Sequence, residues 1–182
     1  MQPWLYPDHQ SVAQALKSEV AAVVAGEIEK TGAYVLAFWQ NGFSRLASKH
    51  RKLPLEQIAG NRVLTGQPTS QSAKVIAELG GRPVNFAFGE LYPALEKGLA
   101  TSAIVSSALF ESAGLVNVVP NVVEDPYQPI ISVVLINKTQ WLALGFAEQL
   151  ALSDAAKSVA ALAQVSTSAQ EQLFKSVTAA KG

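Results

Sequence analysis

His9 and His50 are the chain's only histidines, and neither has a partner at metal-ligand spacing. One lies near the N-terminus and the other in a basic stretch, where a plain surface role is the simpler reading. With no cysteine there is no thiolate nucleophile, no disulfide and no cysteine zinc site. The glycines of "GNRVLTG", Gly60 and Gly66, lack the Lys-Ser/Thr that a P-loop sets against its phosphates. No serine stands between glycines in the hydrolase manner. Glu90, Glu96 and Asp125 are scattered, and nothing pairs them for acid–base work. Catalysis is not expected, and neither a cofactor nor a metal is called for.

What the residue types can do is recognise. Trp39, Asn41, Arg62, Gln67, Thr69, Glu90 and Tyr92 stand where strands end and helices begin. Open α/β sheets hold small ligands there. Each residue has a second reading. Trp39 and Tyr92 can pack in a core with the polar tip hydrogen-bonded. Arg62 can serve a surface or structural salt bridge. Glu90 can be a carboxylate favoured by the dipole at a helix N-terminus.

The elements that would position these residues can be read from periodicity. Residues 11–30 carry Val12, Leu16, Val20, Val23, Val24 and Ile28 at helical spacing, stopped by Thr31–Gly32. "AYVLAFW", 33–39, is a short apolar run and reads as a strand covered on both faces. "QNG" at 40–42 breaks it. "RLASKHRKLP", 45–54, has four Lys or Arg in ten residues and reads as a basic loop, either a solvated turn or an anion-steering rim. "PLEQIAG" is a helical turn, "NRVLTG" a short strand, and "QPTSQSAKVIAELGG" a loop into a helix that Thr69 or Ser70 could cap. "RPVNFAF" is a strand and "GELYPALEKG" a helix. Residues 102–112 read as a loop or short helix and 115–119 as a strand. "PIISVVLINKTQW" is dense in Ile and Val, the strongest strand signal present. From Phe146 to Ala179 the pattern is helical. Strands alternating with helices predict an α/β layered fold.

Composition narrows the partners. Fourteen basic and fourteen acidic residues balance, so no basic face speaks for nucleic acid. No window reaches about 18 uninterrupted apolar residues, so membrane insertion is not expected. Only 15% of the chain is charged, against roughly 25% in typical soluble domains. The shortage predicts that part of the surface is covered, by a second copy or by a missing piece of chain. "MQPWLYPDHQ" does not have the form of a secretory signal, so the chain is expected to be either cytoplasmic or exported by a signal on sequence outside these residues.

Four stretches in order carry a family resemblance: "LAFWQNGFSRL" (36–46), "LPLEQIAGNRVLTG" (53–66), "ELGGRPVNF" (78–86) and "FGELYPALEKGLATS" (88–102). The chain resembles the solute-binding proteins of TRAP transporters, the DctP-like extracytoplasmic receptors. The last stretch follows that family's F-S-E-x-Y-x-A-L-x-x-G-V-V-D-G pattern through Gly98.

The resemblance implies a type II periplasmic-binding-protein lobe, with a mixed, mostly parallel sheet flanked by helices and a long C-terminal helix. It implies non-catalytic binding of a small organic molecule, with organic acids among the candidates. It further implies a periplasmic location and TRAP membrane subunits as partners. On this reading 1–182 is a single truncated domain, the second lobe with its flanking helices, with its core at 33–145 and helices at 11–30 and 147–179. The family's carboxylate-binding arginine falls on Leu64, with Arg62 at the preceding lysine. The arginine after Asn-Gly-Phe is Ser44, the acid of V-D-G is replaced within "LATS", and the following asparagine falls near Val105. The resemblance therefore predicts a dismantled carboxylate clamp. The ligand is then reached by Arg62 from another position or is not an acid, or binding is lost and the chain is a self-associating or protein-interaction domain.

Overall fold

The computed structural model describes residues 5–66 and 70–181. Its elements run α1 (His9–Ala15), α2 (Glu19–Glu29), β1 (Ala33–Ser48), β2 (Arg62–Leu64), α3 (Gln71–Glu78), β3 (Arg82–Val84) and α4 (Leu91–Glu96). They continue with β4 (Ser102–Ser106), α5 (Ser107–Ser112), β5 (Asn121–Val122), β6 (Gln128–Asn137), α6 (Lys138–Ala143) and α7 (Phe146–Lys181). Single 3₁₀ turns lie at Leu55–Gln57, Phe88–Glu90 and Leu115–Asn117. The strand order is β3-β2-β4-β1-β5, and β6 also pairs with β1. The sheet is mixed. β2 runs parallel to β3 and β4, while β1 runs antiparallel to β4 and β5.

The chain forms two compact units. Unit one is Met1–Pro7, Phe43–Gln128 and Gln170–Gly182, and unit two is Asp8–Gly42 and Pro129–Ala169. Unit one's core follows from strand alternation, because successive side chains point to opposite faces. Leu46 and Val63 join Leu53, Leu55, Ile58, Ile76 and Tyr127 on one face. Their neighbours Ala47 and Leu64 join Leu95, Ala103, Val105, Phe110 and Phe174 on the other. A sheet covered on both faces explains why its strands read as apolar runs rather than alternating ones. Gly81 is required where α3 returns to β3, since a Cβ there would lie 2.7 Å from Cγ2 of Ile76.

In unit two, Asp8 caps α1 by accepting from Ser11 N at 2.7 Å, and Asn137 caps α6 by accepting from Thr139 N at 2.9 Å. Tyr34 stacks on Trp141 with ring centroids 4.4 Å apart.

Three expectations from the sequence are corrected. The helix over 11–30 is two helices, because Ser18 takes an extended conformation and caps α2 by accepting from Val20 N. The strand expected at 115–119 is a 3₁₀ turn following Gly114, whose φ is 62°, and 102–112 holds both β4 and α5. The basic loop begins later than expected: β1 runs through "QNG" as far as Ser48, and Arg45 is buried within it. Gly42, with φ of 84°, allows the strand to turn and continue where a residue with a Cβ would be strained.

Candidate functional site

Because β2 and β4 are parallel, their C-terminal ends share one edge of unit one's sheet, and α3 and α5 start there. The antiparallel register of β1 brings Ser44 opposite Ser106 at the same edge. Hydroxyls dominate this edge. Ser70 caps α3: its Oγ accepts from Ala73 N at 3.2 Å and donates to Thr65 O at 3.3 Å. Ser106 caps α5 by accepting from Leu109 N at 3.0 Å. Ser72, buried, donates to Oε1 of Gln128 at 3.4 Å, and Ser44 donates to the Gln128 carbonyl at 3.3 Å. Burial pushes the Tyr127 phenol up, opposed by a hydrogen bond with Ser72.

Thr65 completes the set. It follows the last residue of β2, is 8% exposed, and its Oγ1 has no hydrogen-bond partner among the described residues. A buried hydroxyl without a partner is costly and is rare in folded proteins. A solute oxygen would relieve that cost. Hydroxyls both donate and accept and can rotate to suit, so this edge can bind the hydroxyl and carboxylate oxygens of a small polar solute.

Cationic recognition is arranged differently. Arg45, the buried arginine of β1, spends its charge inside the unit. Its Nη1 lies 3.4 Å from Oε1 of Glu171 and 3.3 Å from Ser107 Oγ, and its Nε donates to Glu124 O at 3.3 Å. The guanidinium also lies 5.4 Å from the centre of the Phe174 ring. Glu171 in turn accepts from Phe43 N at 3.2 Å. This cluster ties the end of α7 to β1 and α5.

The residues singled out in the sequence do not form one cluster. Arg62 opens β2 at the end away from Thr65 and donates from Nη2 to Gly98 O at 2.5 Å, beyond the C-terminal end of α4. Glu90 and Tyr92 lie at the N-terminal end of α4. The Glu90 carboxylate accepts from Ala87 N at 3.0 Å, and Tyr92 packs against the core. Trp39 and Asn41 belong to unit two, where Trp39 Nε1 donates to Ala156 O at 3.1 Å and Asn41 Nδ2 to Ser132 Oγ at 2.5 Å. Gln67 and Thr69 lie outside the described residues. Sequence reasoning named Ser70 only as a cap and missed Thr65, Ser72 and Ser106. The signal available was a threonine closing a strand just before a glycine and a helix cap.

Among the described residues, no group of three or more His, Asp or Glu side chains could hold a metal ion, and no helix is long and apolar enough to cross a membrane.

The family described as bacterial extracellular solute-binding protein, family 7 (DctP), matches residues 1–182. The chain belongs to that family. A DctP-family fold is also what the solved structures give. The chain superimposes on the apo open TRAP periplasmic solute binding protein of Escherichia fergusonii with a TM-score of 0.89 at 18% identity, covering 100% of this chain and 62% of that one. On the protein of Roseobacter denitrificans with bound β-D-glucuronate the TM-score is 0.86 at 24% identity, covering 100% and 60%. These likenesses establish the type II periplasmic-binding fold expected from the four motifs. An uncharacterized protein of Haemophilus influenzae (strain Rd) is 32% identical over 158 residues, which are 85% of this chain and 47% of that relative. The DctP-family chain thus spans less than half of this curated relative and about 60% of the two solved neighbours.

Proposed function

We propose that the chain is a non-catalytic solute-binding module of a TRAP-type receptor, taking a small hydroxylated organic acid or polyol at the hydroxyl-lined edge of unit one. The observation that carries this reading is the buried Thr65 hydroxyl, unpartnered among the described residues, at the same strand ends where Ser70 and Ser106 cap α3 and α5 and where α/β sheets place ligands. Gln67 and Thr69 fall in the same β2–α3 connection and belong to the proposed site by sequence. Glu90 and Tyr92, at the start of α4, are proposed as supporting residues, while Trp39 and Asn41 belong to unit two and Arg62 opens β2 at its other end. The periplasm is the proposed setting and TRAP membrane subunits the proposed partners. The glucuronate held by the R. denitrificans protein is a hydroxylated carboxylate, and such a ligand fits an edge rich in hydroxyls. With Leu64 where the resemblance puts the clamp arginine, hydroxyl contacts carry more of the binding than a bidentate fork would.

A thermal-shift panel tests the reading. Sugar acids and polyols should raise the melting temperature more than dicarboxylates without hydroxyls. The absence of a shift with every hydroxylated compound would reject it.

A second reading, self-association through unit two, is favoured by one observation. Leu142, Phe146, Leu162 and Val165 are 69–81% exposed on α6 and α7, and Val20 and Val23 are more than half exposed on α2. A second copy is the occupant suggested by so much apolar surface on a chain with 15% charge.

A further inference from the structure

The basic run Lys49–Lys52 takes no part in the solute site. It lies at the other end of unit one's strands, where β2 and β4 begin. The register there sets Ser102 opposite Ser48 of β1 and beside Val63 of β2. Ser48 Oγ donates to the carbonyls of Arg51 and Asn121, and Lys49 N donates to Thr101 O at 3.0 Å. These bonds fold the loop after β1 back towards the strand ends and leave a cavity of about 120 Å³. One buried water needs only about 10–15 Å³.

We infer that this cavity is a binding site for a small oxyanion of the phosphate or sulfate type. Its walls include Ser48, His50, Arg51, Asn61, Thr101 and Ser102, and no carboxylate. Ser102 is 1% exposed and its Oγ has no partner among the described residues, so a buried donor lacks its acceptor in the cavity wall. Arg51 donates from Nη1 to the neutral Oε1 of Gln57 at 3.0 Å and has no ion pair among the described residues. Its charge is therefore not cancelled, and a guanidinium has five N–H donors in all. The flanking lysines are engaged elsewhere. Lys49 Nζ donates to Glu96 O at 2.9 Å, and Lys52 Nζ pairs with Glu124 at 3.6 Å. The hydroxyl hydrogens of Ser48 and Thr101 are already donated to backbone carbonyls. The Ser102 hydroxyl, an uncancelled guanidinium and an imidazole therefore face a space larger than one water, and these suit a compact anion with several acceptor oxygens.

The test is a two-dimensional amide NMR titration of the whole chain with inorganic phosphate at low ionic strength. The inference predicts saturable shifts at His50, Arg51, Thr101 and Ser102, competition by sulfate, and no equivalent response to chloride at matched ionic strength. Arg51→Gln should weaken binding at least tenfold and Ser102→Ala severalfold, with the rest of each spectrum unchanged. Should Ser102→Ala not fold, the exposed Arg51→Gln carries the test alone. Non-saturable shifts, an equal response to chloride, or unchanged affinity in Arg51→Gln would overturn the inference. The readout is separate from the solute site, because Thr65 and Ser106 lie at the opposite strand ends.

Discussion

At the scale of single residues, the proposal turns on a hydroxyl that is costly to the free protein and useful to the bound one. Thr65→Val keeps the shape of the side chain and removes the unpartnered oxygen. It should raise stability by about 1 kcal/mol, the order of an unsatisfied buried polar group, and lower affinity for a hydroxylated ligand about tenfold. Paired denaturation and calorimetry check both signs at once. A variant that is less stable yet binds as before would remove Thr65 from the site. Arg45 gives a second residue-scale prediction. Its partner Glu171 is 8% exposed, so Arg45→Met breaks a buried ion pair from one side and should cost about 3–5 kcal/mol in urea unfolding. The double variant Arg45→Met with Glu171→Leu should recover most of that loss, because both sides of the pair are then apolar. A loss in the double variant as large as in the single one would show that the cation and its other hydrogen bonds matter more than the pair.

At the scale of elements, what could be read from sequence depended on how local the determinants are. α3 was legible because Ser70 caps it, Ala73 and Ile76 supply its buried face, and a glycine follows its end. β6 and α7 were legible from dense Ile/Val and from long helical periodicity. β1 was not. "QNG" looks like a stop, and a strand continuing with Arg45 and Ser48 makes sense only once Glu171 and Asn121, far along the chain, satisfy those side chains. The candidate site was half legible for the same reason. The β2–α3 connection could be located, but Ser106 and Gln128 reach that edge only through strand register. Arg62 meets Gly98 O, a contact that no spacing rule predicts. One element carries a pH prediction. Hydrogen bonds from the Ser11 backbone and side chain hold the Asp8 carboxyl below its ordinary value of 3.8. A depressed folded value means that the cap's contribution is present above that ordinary value and is lost as pH falls through the folded one. The Ser11 amide signal should therefore titrate with Asp8 in acid, and Asp8→Ala should abolish that transition. A Ser11 signal independent of pH would exclude the capping role.

At the scale of the whole molecule, the low charge and the exposed Leu142, Phe146, Leu162 and Val165 bear on association. Size-exclusion chromatography with light scattering should show a mass above 19.3 kDa that rises with concentration. Phe146→Glu with Leu162→Glu should return it to the monomer value. A monomer at every concentration would reject self-association while leaving the solute site untouched. The central claim, that unit one holds a small hydroxylated solute at the ends of β2 and β4, is tested most directly by an amide NMR titration with D-glucuronate. The account predicts saturable shifts at Thr65, Ser70, Ser72, Ser106 and Gln128, reduced in Thr65→Val. Saturable shifts that spare those five residues, or no shift with glucuronate or any related polyol, would contradict it.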